Sequence, residues 1–222
     1  MGSKEIYILL KYCSEASILL PIGAGILRFK RFNTGLRILV FYVFLSALVD
    51  LISVIIIHYF KHSNAELFRA YTLIEFVLLT LYFRTLFNRK AIKGFFLIAV
   101  LVFGFIDIIC TYLLQPGDEF DSYASAIEGL FMISFSLCYF YKVFTEVVIV
   151  KLEKESSFWI VSAILIYFAG NLFLFLCSDN TLVSIQEYFL KYWSIDFILN
   201  AIFNILLAIG LWITPTKLTS SS

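Results

Sequence analysis

The sequence predicts an all-α membrane protein: a single bundle of seven transmembrane helices over residues 1–222, with its N-terminus outside and its C-terminus in the cytoplasm. Three observations predict it. Of the 222 residues, 61% are hydrophobic and 15% charged, whereas a soluble domain carries about a quarter charged residues. The apolar residues fall into seven runs of the roughly 20 needed to cross the hydrocarbon core of a bilayer. Lys and Arg concentrate in alternate connections between those runs, which is the pattern that sets orientation.

The runs cover 6–27, 37–60, 66–87, 92–114, 122–144, 157–177 and 184–212. The first carries Lys11 and Glu15, which pair at i,i+4 on a helix, and Pro21 with Gly23 and Gly25, a place for a kink. The second sets Tyr42, Ser46 and Asp50 on one face, with Ser53 beside them. Positions four apart differ by only about 40° around a helix axis. The third, with the first the least hydrophobic, aligns Tyr71, Glu75 and Tyr82. The fourth aligns Gly104, Asp107 and Thr111. The fifth aligns Ser125, Glu128 and Tyr139, the sixth stacks Tyr167 over Asn171, and the long seventh bears a stripe of Tyr192, Asp196, Asn200 and Asn204.

Orientation follows from the loops. Arg28, Lys30, Arg31 and Arg37 fill the first, Arg84, Arg89, Lys90 and Lys93 the third, and Lys142, Lys151 and Lys154 the fifth. These belong on the cytoplasmic side. Asp118, Glu119 and Asp121 in the fourth and Asp179 in the sixth stand without bases and belong outside. Lys61 and Arg69 near the second loop are exceptions that three strong loops outweigh. Lys217 then lies inside.

Six carboxylates fall at membrane depth: Glu15, Asp50, Glu75, Asp107, Glu128 and Asp196. Each costs roughly 2.5–3.5 kcal/mol at the centre of a lipid-facing helix. They are therefore expected to point into the bundle, to pair, or to be neutralised by protons. Counted from the loop ends, all six lie at mid-membrane or in the outer half, whichever way their helix runs. The candidate site is thus an outward-facing polar and acidic pocket of Asp50, Glu75, Asp107, Glu128, Asn171, Asp196 and Asn200.

Several chemistries are set aside. The net charge of +1 offers nothing to nucleic acid, and no phosphate-binding, dinucleotide or nucleophile-elbow pattern occurs. Neither a metal nor another cofactor is expected. His58 and His62 are the only histidines, and a membrane-embedded cluster of three, as in alkaline ceramidase-like zinc hydrolases, cannot be made from two. Cys13, Cys110, Cys138 and Cys177 stand singly in apolar runs and read as small buried hydrophobes. The short loops leave no room for a soluble module, so any output would pass through a partner.

Four stretches carry a family resemblance: Tyr71-Thr-Leu-Ile-Glu-Phe76; Ser122-Tyr123-Ala124 with Glu128; Phe158-Trp159 running to Tyr167-Phe-Ala-Gly-Asn171; and Asn204-Ile-Leu-Leu-Ala-Ile-Gly-Leu-Trp212. Together they resemble a group of small, uncharacterised seven-helix membrane proteins of Gram-negative bacteria. The resemblance implies a multi-pass inner-membrane location and brings no activity. In that group a His often occupies the position of Asp196, four before the Asn; the departure here puts in doubt any role that needs an imidazole there and keeps a titratable group on the stripe. Three function classes remain. The leading one is a sensor, receptor-like or accessory protein that sits in the lipid bilayer and binds a small molecule, a lipid or a membrane-protein partner. The others are a proton- or ion-coupled transporter and an intramembrane hydrolase acting on lipid, with Asp50 and Asp196 as its acid/base pair.

Overall fold

The computed structural model describes residues 3–114, 122–146, 151–177 and 186–213, and every regular element among them is helical. In chain order these are α1 (Ser3–Ser17), α2 (Leu19–Arg28), α3 (Thr34–Ile55), α4 (Ala65–Leu86), α5 (Lys90–Ile109), α6 (Ser122–Glu146), α7 (Ser156–Cys177) and α8 (Gln186–Trp212). α3 and α5 each run on into a π-helical turn, Ile56–Phe60 and Cys110–Leu114. Lys61 closes the first of these in the left-handed conformation, at φ 50°. The acidic Asp118, Glu119 and Asp121, together with Asp179 and Lys217, lie outside the described residues.

Six helical segments among the described residues are long and apolar enough to cross a membrane: Lys4–Arg31, Thr34–Phe60, Lys90–Tyr112, Tyr123–Glu146, Ser156–Phe175 and Tyr192–Trp212. Their outward faces carry large apolar side chains such as Leu27, Leu51, Leu101, Phe105 and Phe173. That surface suits lipid and not water. α4, at the place of the third window, differs in composition and not in length. Its 22 residues reach about 33 Å at 1.5 Å each, yet they include Glu66, Arg69, Glu75 and Arg84. Burial explains the difference: Phe76, Leu79, Tyr82 and Phe83 on this helix are wholly enclosed. A helix surrounded by protein can carry ionisable groups that a lipid-facing one cannot.

The first window folds as two helices with a break at Ile18. Pro21 is the cause. It has no N–H to give the carbonyl four residues back, that of Ser17, and its ring crowds that carbonyl. At the same break the Ser17 hydroxyl donates to the Ser14 carbonyl at 2.6 Å.

The chain forms two compact units, residues 34–132 and residues 1–33 with 133–222, and α6 is divided between them after Met132. In the 34–132 unit α4 packs against α3 and α5. Its core is a column of rings: Phe76 stacks on Phe103 with centroids 4.0 Å apart, Phe131 meets both edge-on, and Phe83, Phe87 and Phe96 continue the column toward the α4–α5 turn. In the other unit α8 is the centre, packed by α1, α2 and α7. Small residues let the backbones approach there. A Cβ on Gly210 would stand 2.5 Å from Ile160 Cγ1 and 3.1 Å from the Ser156 carbonyl oxygen, and one on Gly170 would stand 2.6 Å from the Leu199 methyls. Tyr167 lies against Phe203 at 4.8 Å, and the Arg28 guanidinium sits 4.4 Å over the Trp212 ring. Of the cysteines, Cys110 is buried as expected, while Cys13 and Cys138 are exposed on their helices.

Candidate functional site

The acids of the 34–132 unit are brought together by three of its helices and the first turns of α6. On α3 the 3.6-residue repeat sets Tyr42, Ser46 and Asp50 in a row. Tyr42 is buried, and its hydroxyl donates to Glu75 Oε1 of α4 at 2.6 Å. Tyr71, one turn before Glu75, hydrogen-bonds with Ser46, Tyr42 and Glu75. Two tyrosines and a serine thus hold one carboxyl group in place. Charged or carboxylate-bound hydrogen bonds are the short and strong ones, and the Tyr42–Glu75 bond is of that length.

Glu128 is the contrast. Its side chain is 3% exposed, it lies within electrostatic reach of Glu75 and of Asp107 on α5, and its Oε1 has no hydrogen-bond partner among the described residues. Asp107 is buried as well, at 8% exposure. Asp50 is within electrostatic reach of Glu75 but is itself exposed on α3. The charged groups that act on Glu75 and Glu128 are all acidic. Arg69, a turn and a half before Glu75, pairs with the exposed Glu66 at 2.9 Å.

Each acid has an aromatic neighbour on its own helix: Phe76 follows Glu75 directly, Phe131 follows Glu128 by three residues, and Phe103 precedes Asp107 by four. α5 runs antiparallel to α4 by its short connection, so these rings fall on the same side of the acids, toward the Leu86–Lys90 turn. Phe76 stacks on Phe103, and Phe131 meets both edge-on. They form a layer that has no hydrogen-bonding groups.

The remaining expected site residues, Asn171, Asp196 and Asn200, belong to the unit of residues 1–33 and 133–222. There the stripe on α8 is taken up by α1. Asn200 Nδ2 donates to Ser14 Oγ at 3.0 Å, and Asn204 Nδ2 donates to Ser17 Oγ at 2.8 Å and to Asn200 Oδ1 at 3.4 Å. Asp196, one turn before Asn200, is half-buried, with Tyr192 in electrostatic reach. Asn171 is half-buried on α7. Glu15 is exposed and lies 3.7 Å from Lys11, the i,i+4 pairing its spacing suggests.

Sequence reasoning placed Tyr42, Ser46 and Tyr71 on the right faces but left them out of the site. A signal was present, since each stands four or eight residues from an acid on its own helix. Ser14 and Ser17 were missed, although their i,i+3 spacing is that of one helical face. Among the described residues no group of three or more His, Cys, Asp or Glu side chains is arranged to hold a metal ion. At the junction before α7, Glu155 is half-buried, and burial pushes its carboxyl above the usual carboxylate range. No family model, curated protein or solved structure matches the chain.

Proposed function

We propose that this chain is a seven-span protein of a bacterial inner membrane, one transmembrane domain with its N-terminus outside, and that it binds a small polar ligand at the Tyr42–Tyr71–Glu75–Glu128 cluster as a sensor or accessory protein. The observation that carries the binding reading is Glu128 Oε1, enclosed and without a donor, beside a carboxyl group that two tyrosines hold. Leaving such an acceptor unsatisfied costs roughly 1–3 kcal/mol, and more when the group is charged. A ligand donor removes that cost.

The spanning reading rests on the six apolar helices together with α4, whose length is sufficient and whose charges are explained by enclosure. The orientation rests on the basic first, third and fifth loops. With that orientation the cluster lies about 15 Å below the outer end of α4, counted over ten residues at 1.5 Å each. A binding protein is favoured over a transporter by the packed rings of Phe76, Phe103 and Phe131, an apolar layer next to the acids in the chain. The lipid-hydrolase reading needs Asp50 to act with Asp196, and no observation favours it.

Two experiments test this. Single cysteines at positions 30, 90 and 152, in a background lacking the native four, are expected to resist an impermeant thiol reagent in intact cells, and one at 119 is expected to react. The inverse pattern reverses the orientation. For the site, Glu128→Gln and Glu75→Gln are expected to fold and to abolish the cellular response, while Asp196→Asn separates the two units: loss of response there as well would move the site to α8.

A further inference from the structure

The binding reading leaves the chemical class of the ligand open, and the surroundings of Glu128 narrow it. An anion is disfavoured by charge, because Glu75, Asp107 and Asp50 all act in this cluster and, among the described residues, no base acts on Glu75 or Glu128. A divalent metal is disfavoured by geometry, since no three of the described acids, histidines or cysteines converge as ligands. Alkali and alkaline-earth ions also want about six oxygens around them. What the cluster offers is a few acceptors on two helices: the enclosed Glu128 Oε1 on α6, and on α4 the Glu75 carboxylate already fixed by Tyr42 and the hydroxyl oxygen of Tyr71. On the same helices and on α5 stand the packed rings of Phe76, Phe103 and Phe131. Acceptors on different helices beside aromatic rings suit a cation that carries its own N–H donors and a carbon part, because N–H groups bond one acceptor each and aromatic rings attract cations and alkyl groups together.

We propose that the ligand is an organic ammonium group, a protonated primary or secondary amine, whose N–H donors reach Glu128 and Glu75 and whose carbon part rests against the phenylalanine layer. This rests on the binding reading above and adds to it the class of ligand. The acidic residues alone would not carry it; the second observation is the unpartnered oxygen of Glu128, on a side chain 3% exposed. The same ammonium chemistry is offered by a soluble amine and by an ethanolamine lipid headgroup.

The test is thermal unfolding of the purified full-length protein in nanodiscs of phosphatidylglycerol at constant ionic strength. The probes are methyl- to butylammonium chloride, tetramethylammonium chloride, the matching alcohols, sodium chloride and sodium acetate. The alkylammonium ions are expected to raise the melting temperature in a saturable way. Tetramethylammonium, which has no N–H, and the alcohols, which have no charge, are expected to do so at least about tenfold more weakly, the loss of one good charge-assisted hydrogen bond. Glu128→Gln and Glu75→Gln remove the shift. Ser17→Ala, in the other unit, lowers the melting temperature and keeps the shift.

Repeating the series in phosphatidylethanolamine nanodiscs separates the sources. If wild type is already raised there and added amine does nothing more, the headgroup is the ligand; if amine still acts, the ligand is soluble. A shift by sodium equal to that by the amines overturns the ammonium class and leaves the binding reading standing, as does a shift by acetate or the alcohols alone. No shift by any probe in either bilayer, with wild type melting no higher in phosphatidylethanolamine than in phosphatidylglycerol, overturns both.

Discussion

Residues 34–132 and the unit of residues 1–33 with 133–222 both carry polar side chains where lipid is the alternative surrounding, and they treat them in opposite ways. In the second unit Asn200 and Asn204 of α8 meet Ser14 and Ser17 of α1, donor to acceptor, at 3.0 and 2.8 Å. In the first, Glu75 is held by Tyr42, but Glu128 is enclosed with one oxygen left over and acids for neighbours. An amide carries both donor and acceptor, whereas a carboxylate only accepts. Amides facing hydroxyls can therefore complete themselves, while a group of carboxylates needs donors from elsewhere: a tyrosine, a proton taken up, or a ligand. The lesson is that polarity at depth marks two different things, a helix contact and a site, and the donor count tells them apart.

The comparison breaks most visibly where backbones are closest. Gly210→Ala places a methyl against Ile160 and the Ser156 carbonyl, and overpacking of this kind costs about 1–3 kcal/mol. Gly170→Ala presses only on the ends of Leu199 and should cost less. Gly104→Ala in the 34–132 unit meets Leu73 at an ordinary 3.8 Å and should be neutral or gain helix propensity. Reversible unfolding in detergent gives the order; equal losses at Gly210 and Gly104 would remove the distinction in packing.

A smaller effect is expected at the amide contact. Ser17→Ala should cost about 1 kcal/mol, the net value of one hydrogen bond. Its double-mutant cycle with Asn204→Ala should give a coupling near 0.6 kcal/mol, the average found between membrane helices. A coupling of zero would make the contact incidental.

The smallest effect is at Glu155, outside the spanning helices. Its folded-state pKa is raised by burial, so the fold favours the protonated form. That contribution is fully present below the unfolded value of about 4.3 and is lost as pH rises through the folded value. Glu155→Gln should flatten the melting temperature against pH in that interval and leave the profile elsewhere unchanged. An unaltered profile would mean that Glu155 is solvated in the folded protein.

Much of the fold was legible because a membrane leaves few choices. Runs such as 92–114 and 157–177 are apolar enough and long enough, and helices stand at α5 and α7. α4 was legible as a run but not as a central helix, since enclosure by α3 and α5 is a tertiary fact with no periodic signature. The break at Ile18 could be read from Pro21. In the site, helical spacing aligned Tyr42 with Asp50 and Tyr71 with Glu75 correctly. It could not say that Tyr42 spans to Glu75, 33 residues away, nor that serines of α1 answer the asparagines of α8. Partners across helices depend on packing, which residue spacing does not encode.

The central claim is that Glu128 is kept for a ligand while Asn204 is kept for a helix contact, and one paired measurement tests it directly. The melting temperatures of Glu128→Gln and Asn204→Leu are compared with that of the wild-type protein, purified without added amine in phosphatidylglycerol nanodiscs. The account predicts that Glu128→Gln matches or exceeds wild type, because it removes a carboxyl group that the apo fold leaves incompletely bonded. It predicts that Asn204→Leu melts lower, because Ser17 and Asn200 lose their partner. Glu128→Gln melting as low as Asn204→Leu would make Glu128 a structural residue and contradict the account.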